Sequence, residues 1–335
     1  MNLDKSMKVA VVGCGAVGSY YGAKLARSGA EVHFLLRSDY PTVLKQGVRI
    51  QSSEGDFTVH PHCARQPDEI GPCDLILIAL KTTANDQYTR LLPELVGKET
   101  VLATLQNGLG NEEMLCSLFP GQSIIGCLCF VCLNRVAPGQ IVHLDHGLVV
   151  VGEYTPVQCG LDAAQISRLF SDAGVHSSIT ENLAKARWEK LLWNIPFNGL
   201  GVASAAGLES VLAGHVAPEL PLSGCLPTDQ LLASPGWHAL VCELMTEVRL
   251  AADGLGLRIP GEFADELIKR TQTMGSYRAS TLIDFEQKRP LELESIFLEP
   301  LRRAKLAGQA MPRLKALCRV LQELDQRSHA APCPA

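Results

Sequence analysis

A short apolar strand running straight into three spaced glycines constrains this chain more than any other feature. Residues 8–12 read Lys-Val-Ala-Val-Val, and Gly13-Cys14-Gly15-Ala16-Val17-Gly18 follows at once. Residues 19–27 continue as an amphipathic helix, and residues 31–36 form a second strand. In that setting the glycines carry a mechanism. Gly13 permits the tight turn, Gly15 lets a pyrophosphate approach the backbone, and Gly18 lets the helix pack on the strand. The helix start adds unpaired N–H groups and a positive dipole end, so Cys14, Ala16 and Val17 belong to the same phosphate-binding turn. A glycine-rich turn in some unrelated α/β protein is the bland alternative, and the second strand argues against it.

At 335 residues the chain has room for two domains, and 47% hydrophobic residues describe an ordinary globular core. The net charge of −5 lacks the clustered cations of a nucleic-acid surface. Residues 1–6 are polar with mixed charge, and the longest apolar runs, such as residues 124–133, are too short to span a bilayer. A cytoplasmic location with no membrane partner is the expectation. Twelve cysteines are scattered along the chain. Cys127, Cys129 and Cys132 sit in one apolar run with no second C-x-x-C to complete a zinc site, so buried thiols and no metal are expected. His60, His62, His143 and His146 match no ligand spacing and are assigned surface or packing roles.

Strand and helix patterns alternate through the first half. Residues 48–51 and 57–60 suggest a hairpin, and residues 74–80 form a continuous apolar strand. A helix over 84–95, a strand over 100–105, a helix over 111–118 and strands over 124–131, 140–144 and 148–151 follow. From residue 163 the pattern turns helical, with helices expected over 182–200, 236–255, 263–273, 291–307 and 313–326. Residues 209–227, rich in Pro, Gly and Ser, read as an extended connection, and the tail after Ser328 as mobile. The fold class is α/β: a Rossmann-type doubly wound parallel sheet over residues 7–178, then an all-α domain over 179–328, with a cleft between them.

Dinucleotide-binding folds of the NAD type end the second strand on an acidic residue that binds the ribose 2′-OH. Here that place holds Arg37, about twenty residues past the fingerprint, where a 2′-phosphate would need a cation. NADP(H) is therefore favoured, with Asp39 two positions on as the carboxylate to be weighed against it. A flavin uses the same fingerprint, but no additional nucleotide-contacting segment stands out. Lys81 and Asn107 follow the strands 74–80 and 100–105, at the carboxyl ends where ligands bind such sheets.

In the second half, Lys190, Asn194 and Asn198 recur every four residues and fall on one helix face. Pro196 between them should kink the helix or open a turn. Hydride delivery to a ketone builds negative charge on oxygen, which a desolvated ammonium can neutralise and protonate. An ordinary surface lysine with two nearby asparagines is the bland alternative, and spacing alone does not choose between them.

The chain resembles the ketopantoate reductase family from Met7 to about Arg319, apart from residues 209–227. The resemblance is carried by Gly13–Gly18, Arg37, Lys81, Gln106-Asn107-Gly108, Lys190-x-x-x-Asn194-x-x-x-Asn198, Ser280-Thr281-Leu-Ile-Asp284 and Arg289-Pro-Leu-Glu292. It implies NADPH on the first domain and a small 2-keto acid substrate in the cleft. Lys190 is implied as the general acid and Glu292 as a partner of the substrate hydroxyl and the nicotinamide ribose. Ser280 would bind the carboxylate, while Asn107, Asn194 and Asn198 would orient the substrate. The chain departs from the family's usual pattern at Thr281, Glu294 and Phe297-Leu298, positions expected around the substrate end of the site.

Reduction of 2-dehydropantoate to (R)-pantoate, for pantothenate synthesis, is the leading function. The alternatives are the same chemistry on another small 2-keto or hydroxy acid, and an NADPH-binding regulator without turnover. A homodimer is compatible with a helical second domain, though no residue argues for an interface.

Overall fold

The computed structural model describes residues 7–156 and 160–329, and the tail after His329 lies outside them. Contacts divide the chain into two compact units, Met1–Leu183 and Ala184–Ala335.

The first unit is built on one ten-stranded sheet. Its strands are β1 (Lys8–Val12), β2 (Glu31–Leu35), β3 (Val48–Ser52), β4 (Phe57–Val59), β5 (His62–Ala64), β6 (Cys73–Ile78), β7 (Val96–Thr104), β8 (Ser123–Ala137), β9 (Gln140–Glu153) and β10 (Ser177–Ile179). The order β5-β2-β1-β6-β7-β8 is parallel throughout, the doubly wound arrangement with its reversal beside β1. Alternation along these strands sorts the core onto two faces. Val9, Val11, Leu75 and Leu77 pack with Tyr20, Tyr21 and Phe170 on one side. Ala10, Val12, Ile76 and Ile78 pack with Tyr88, Leu92 and Leu115 on the other. Burial on both faces is why residues 75–80 are uniformly apolar.

Beyond β8 the sheet departs from the purely parallel expectation. β8 and β9 form a long antiparallel hairpin, β9 runs parallel to β3, and the β3–β4 hairpin closes that edge. The two strands expected over 140–151 are a single strand, β9. The apolar pattern breaks between them because the register slips near Asp145-His146-Gly147, where His146 has φ 64°. Cys127, Cys129 and Cys132 are buried in β8 and are not joined in disulfides. The single helix expected over 84–95 is also corrected. Thr82–Gln87 and Pro93–Leu95 are 3₁₀ turns around a short helix, Tyr88–Leu91, and Pro93 cannot continue an α-helix. Strands β5 and β10, each of three residues, carry too little periodicity to be legible. β10 pairs with β9, which keeps residues 179–183 with the first unit, past the division expected at 178.

The second unit is helical. Helix Leu183–Ala203 runs unbroken through Pro196. The kink expected there does not interrupt it, because Ile195 and Phe197 on either side are fully packed. Gly199 allows a close approach: a β-carbon there would lie 2.7 Å from Leu317 and 2.9 Å from Phe297. Those residues belong to helix Pro312–His329 and to the segment Glu294–Leu298, which is a π-helix leading into helix Glu299–Leu306 instead of the plain α-helix expected over 291–307. Residues 209–227 include the end of a short helix, Leu208–Ala213. The connection is strapped down: Arg327 donates to the Val216 and Ala217 carbonyls at 2.7 Å, and Val216 N–H donates to Glu323.

Candidate functional site

The carboxyl edge of the parallel strands places the first group of residues. Backbone bonds from Ala79 N–H to Val12 O, Leu105 N–H to Ile78 O and Leu36 N–H to Ala64 O, each 2.8 Å, extend the ladders past the strand ends. Gly13, Arg37, Lys81 and Asn107 therefore emerge from neighbouring strands at one edge of the sheet.

The glycine turn fits a dinucleotide pyrophosphate. Gly13 has φ 101°, and a β-carbon there would lie 2.3 Å from the Leu80 nitrogen. A β-carbon on Gly18 would meet the Gly13 carbonyl oxygen at 2.2 Å, whereas one on Gly15 would meet nothing within 4 Å. Two glycines close the turn and the third leaves open space in front of helix Ala16–Arg27. Gly15 is that helix's N-cap, and no side chain caps it, so the first N–H groups stay available to an anion. Cys14 turns inward, its thiol directed at the Val11 and Leu35 carbonyls. Burial, with smaller contributions from Cys63 and Asp39, pushes that thiol well above the ordinary range.

Asp39 is not available to a ribose. It is 6% exposed and held by Arg135, whose Nε donates to Oδ2 at 2.9 Å while its second nitrogen binds Oδ1. Gly139 N–H donates to the same carboxylate at 3.3 Å. Arg37 is exposed at the end of β2, with no ion pair among the described residues.

A buried amide chain that the sequence did not advertise braces Lys81 and Asn107. Gln106 Nε2 donates to Leu80 O at 3.0 Å and to Asn85 Oδ1 at 2.8 Å, and Thr104 Oγ1 and Tyr88 OH both donate to Gln106 Oε1. Asn85 Nδ2 donates to Asn111 Oδ1 at 2.9 Å, and Asn111 Nδ2 to Asn107 O at 3.0 Å. Leu80 and Asn107, the residues next to and at two predicted contacts, are thereby tied into one satisfied network. A cluster of amides after two parallel strands was the available signal, but nothing local says which amide reaches which.

The second group lies in the second unit. Lys190 is half-buried, and Asn194 and Asn198 are buried on the same helix. Asn198 braces a second helix. Its Oδ1 accepts from Ser280 Oγ at 3.3 Å and from Thr281 N–H at 3.1 Å, holding the start of helix Ser280–Glu286. That oxygen is thus committed to the helix start. Glu292 is 4% exposed, just ahead of the π-helical segment. Phe297 and Thr281, departures expected around the substrate, are both buried in the core. The π-turn buries Phe297 against Gly199, which the sequence pattern could not reveal.

Family models agree with this architecture. Residues 9–156 match the ketopantoate reductase PanE/ApbA segment, and residues 221–325 match its C-terminal counterpart. The chain belongs to the ketopantoate reductase family. A 2-dehydropantoate 2-reductase of Nostoc sp. is 39% identical over 327 residues, 96% of each chain. The crystal structure of 2-dehydropantoate 2-reductase from Geobacter metallireducens superimposes with a TM-score of 0.83 at 41% identity, covering 95% of this chain and 99% of that one. The enzyme of that name from Methylococcus capsulatus gives 0.83 at 31% identity, covering 97% and 99%. Family membership makes the chain a dinucleotide-binding oxidoreductase. No helix among the described residues is long and apolar enough to cross a membrane.

Proposed function

We propose that this chain reduces 2-dehydropantoate to (R)-pantoate with NADPH, the reductive step of pantothenate synthesis. The observation that carries the reading is the half-buried Lys190 in line with Asn194 and Asn198, with Asn198 fastening Ser280. Bound NADPH supplies the hydride to the carbonyl carbon. As that bond forms, charge gathers on the carbonyl oxygen, and the Lys190 ammonium stabilises it and transfers a proton to it. Lys190 then regains its proton from solvent, so ketone, NADPH and one proton become alcohol and NADP⁺. On substrate binding Ser280 turns its one hydroxyl proton from Asn198 Oδ1 to the substrate carboxylate, and Asn107 and Asn194 hold the keto acid in place. Asn198 acts mainly by holding Thr281 N–H, and with it the backbone at Ser280, while Glu292 accepts from the new hydroxyl and from the nicotinamide ribose.

NADPH is preferred over NADH in this reading because Arg37 stands exposed at the end of β2, where it would meet a 2′-phosphate. The only nearby acid in that loop, Asp39, is locked by Arg135. Lys190→Ala tests the chemistry. It should lower kcat by about 10²–10⁴-fold, the range for losing a general acid, with NADPH binding nearly unchanged. Turnover close to that of the unsubstituted protein would overturn the assignment. Arg37→Ala tests the cofactor: NADPH affinity should fall far more than NADH affinity, and equal losses would remove it.

A further inference from the structure

β5 leaves the sheet beside β2. Leu35 pairs with Ala64, and Leu36 N–H donates to Ala64 O at 2.8 Å, so the two chains emerge side by side. The residues that follow are Arg37 on one and Arg65 on the other, both exposed. Neighbouring strands lie about 4.8 Å apart, so the backbones that carry these two cations are adjacent, with Arg65 level with Leu36 and Arg37 one residue further on. The guanidinium of Arg65 is stacked over Tyr40, 4.5 Å from the ring centre. The acids nearby do not pair with either guanidinium. Asp39 holds Arg135, and the Glu69 carboxylate accepts the backbone N–H groups of Arg65 and Gln66. Among the described residues neither Arg37 nor Arg65 forms an ion pair.

We propose that Arg65, backed by the Tyr40 ring, is a second specificity residue that grips the 2′-phosphate of NADPH together with Arg37. The inference rests on the NADPH reading and deepens it. A phosphate dianion presents three terminal oxygens, enough for two guanidinium forks. Without an anion, two cations emerging from adjacent strands repel one another. Stacking on Tyr40 orders the Arg65 side chain beforehand, so less rotamer freedom is lost on binding. NADH has no group for either arginine to hold, so the pair acts on the choice of cofactor and not on hydride transfer.

The test is direct binding to the full chain, by fluorescence titration, of NADPH, NADH, 2′,5′-ADP and 5′-AMP. Arg65→Ala should weaken NADPH and 2′,5′-ADP by about tenfold, as loss of a charge-assisted bond implies. NADH and 5′-AMP should change by less than about twofold, within the scatter of a surface substitution. Arg65→Lys, which keeps the charge and loses the stack, should fall between. Equal losses for NADPH and NADH would make Arg65 an adenine platform and overturn the proposal, as would no loss for either. An unsubstituted protein that binds NADH as tightly as NADPH would sink the cofactor reading itself. A preference destroyed by Arg37→Ala but untouched by Arg65→Ala would sink the Arg65 role alone.

Discussion

Gly13 and Gly15 are two positions apart in the same turn and face opposite physical problems. Gly13 sits at positive φ with backbone 2.3 Å from any added β-carbon, whereas Gly15 has ordinary φ and open space before it. Gly13→Ala should therefore cost at least about 2 kcal/mol of stability through overpacking and backbone strain. Gly15→Ala should leave stability within about 0.5 kcal/mol, while its methyl obstructs the pyrophosphate and lowers dinucleotide affinity about tenfold or more. Thermal melts beside dinucleotide titrations separate the two effects. A Gly15→Ala protein that binds NADPH normally would mean that the open space is not where the pyrophosphate lies. Arg37 and Asp39 make a related point. Both are charged and close in sequence, yet one is exposed and the other is consumed by an arginine 96 residues further on.

Among the elements, helix Leu183–Ala203 carries three of the proposed site residues. Its four-residue spacing put Lys190, Asn194 and Asn198 on one face in the sequence, because helical periodicity is a local property. What Asn198 does with that position was hidden, since helix Ser280–Glu286 arrives from 82 residues away. Asn198→Ala removes the acceptor from Thr281 N–H, and loss of such a cap is worth about 1 kcal/mol. In the proposed enzyme it should also raise KM for the keto acid more than it lowers kcat, because Ser280 loses its tether. Steady-state kinetics checks this, and a pure kcat effect would contradict it. The sheet shows the same division. β1, β2, β6 and β7 were legible as strands, β6 as an apolar run buried on both faces, while β5 and β10 were too short, and the bulge made β9 look like two strands.

At the scale of the molecule, the glycine turn, Arg37, Lys81 and Asn107 belong to the unit Met1–Leu183, and Lys190, Asn194, Asn198, Ser280 and Glu292 belong to Ala184–Ala335. Cofactor binding thus couples to the stability of the first unit. NADPH at a hundred times its Kd should stabilise that unit by about 2.7 kcal/mol. Calorimetry should show its unfolding shifted upward by NADPH and by much less with the same concentration of NADH. Equal shifts would count against the cofactor preference.

The sequence by itself determined whatever depends on residues near one another in the chain. That covers the strand–glycine–helix turn, the cation in place of a ribose-binding acid, the polar helix face and the change from alternating to helical pattern at midchain. Only the tertiary structure decided the long-range pairings: Asp39 with Arg135, Gln106 with Leu80 and Asn85, Asn198 with Ser280, and Arg65 over Tyr40. Periodicity follows from the repeat of a single element and can be read along the chain. The partner of a buried polar group is chosen by whichever distant segment packs beside it, and no local pattern records that choice.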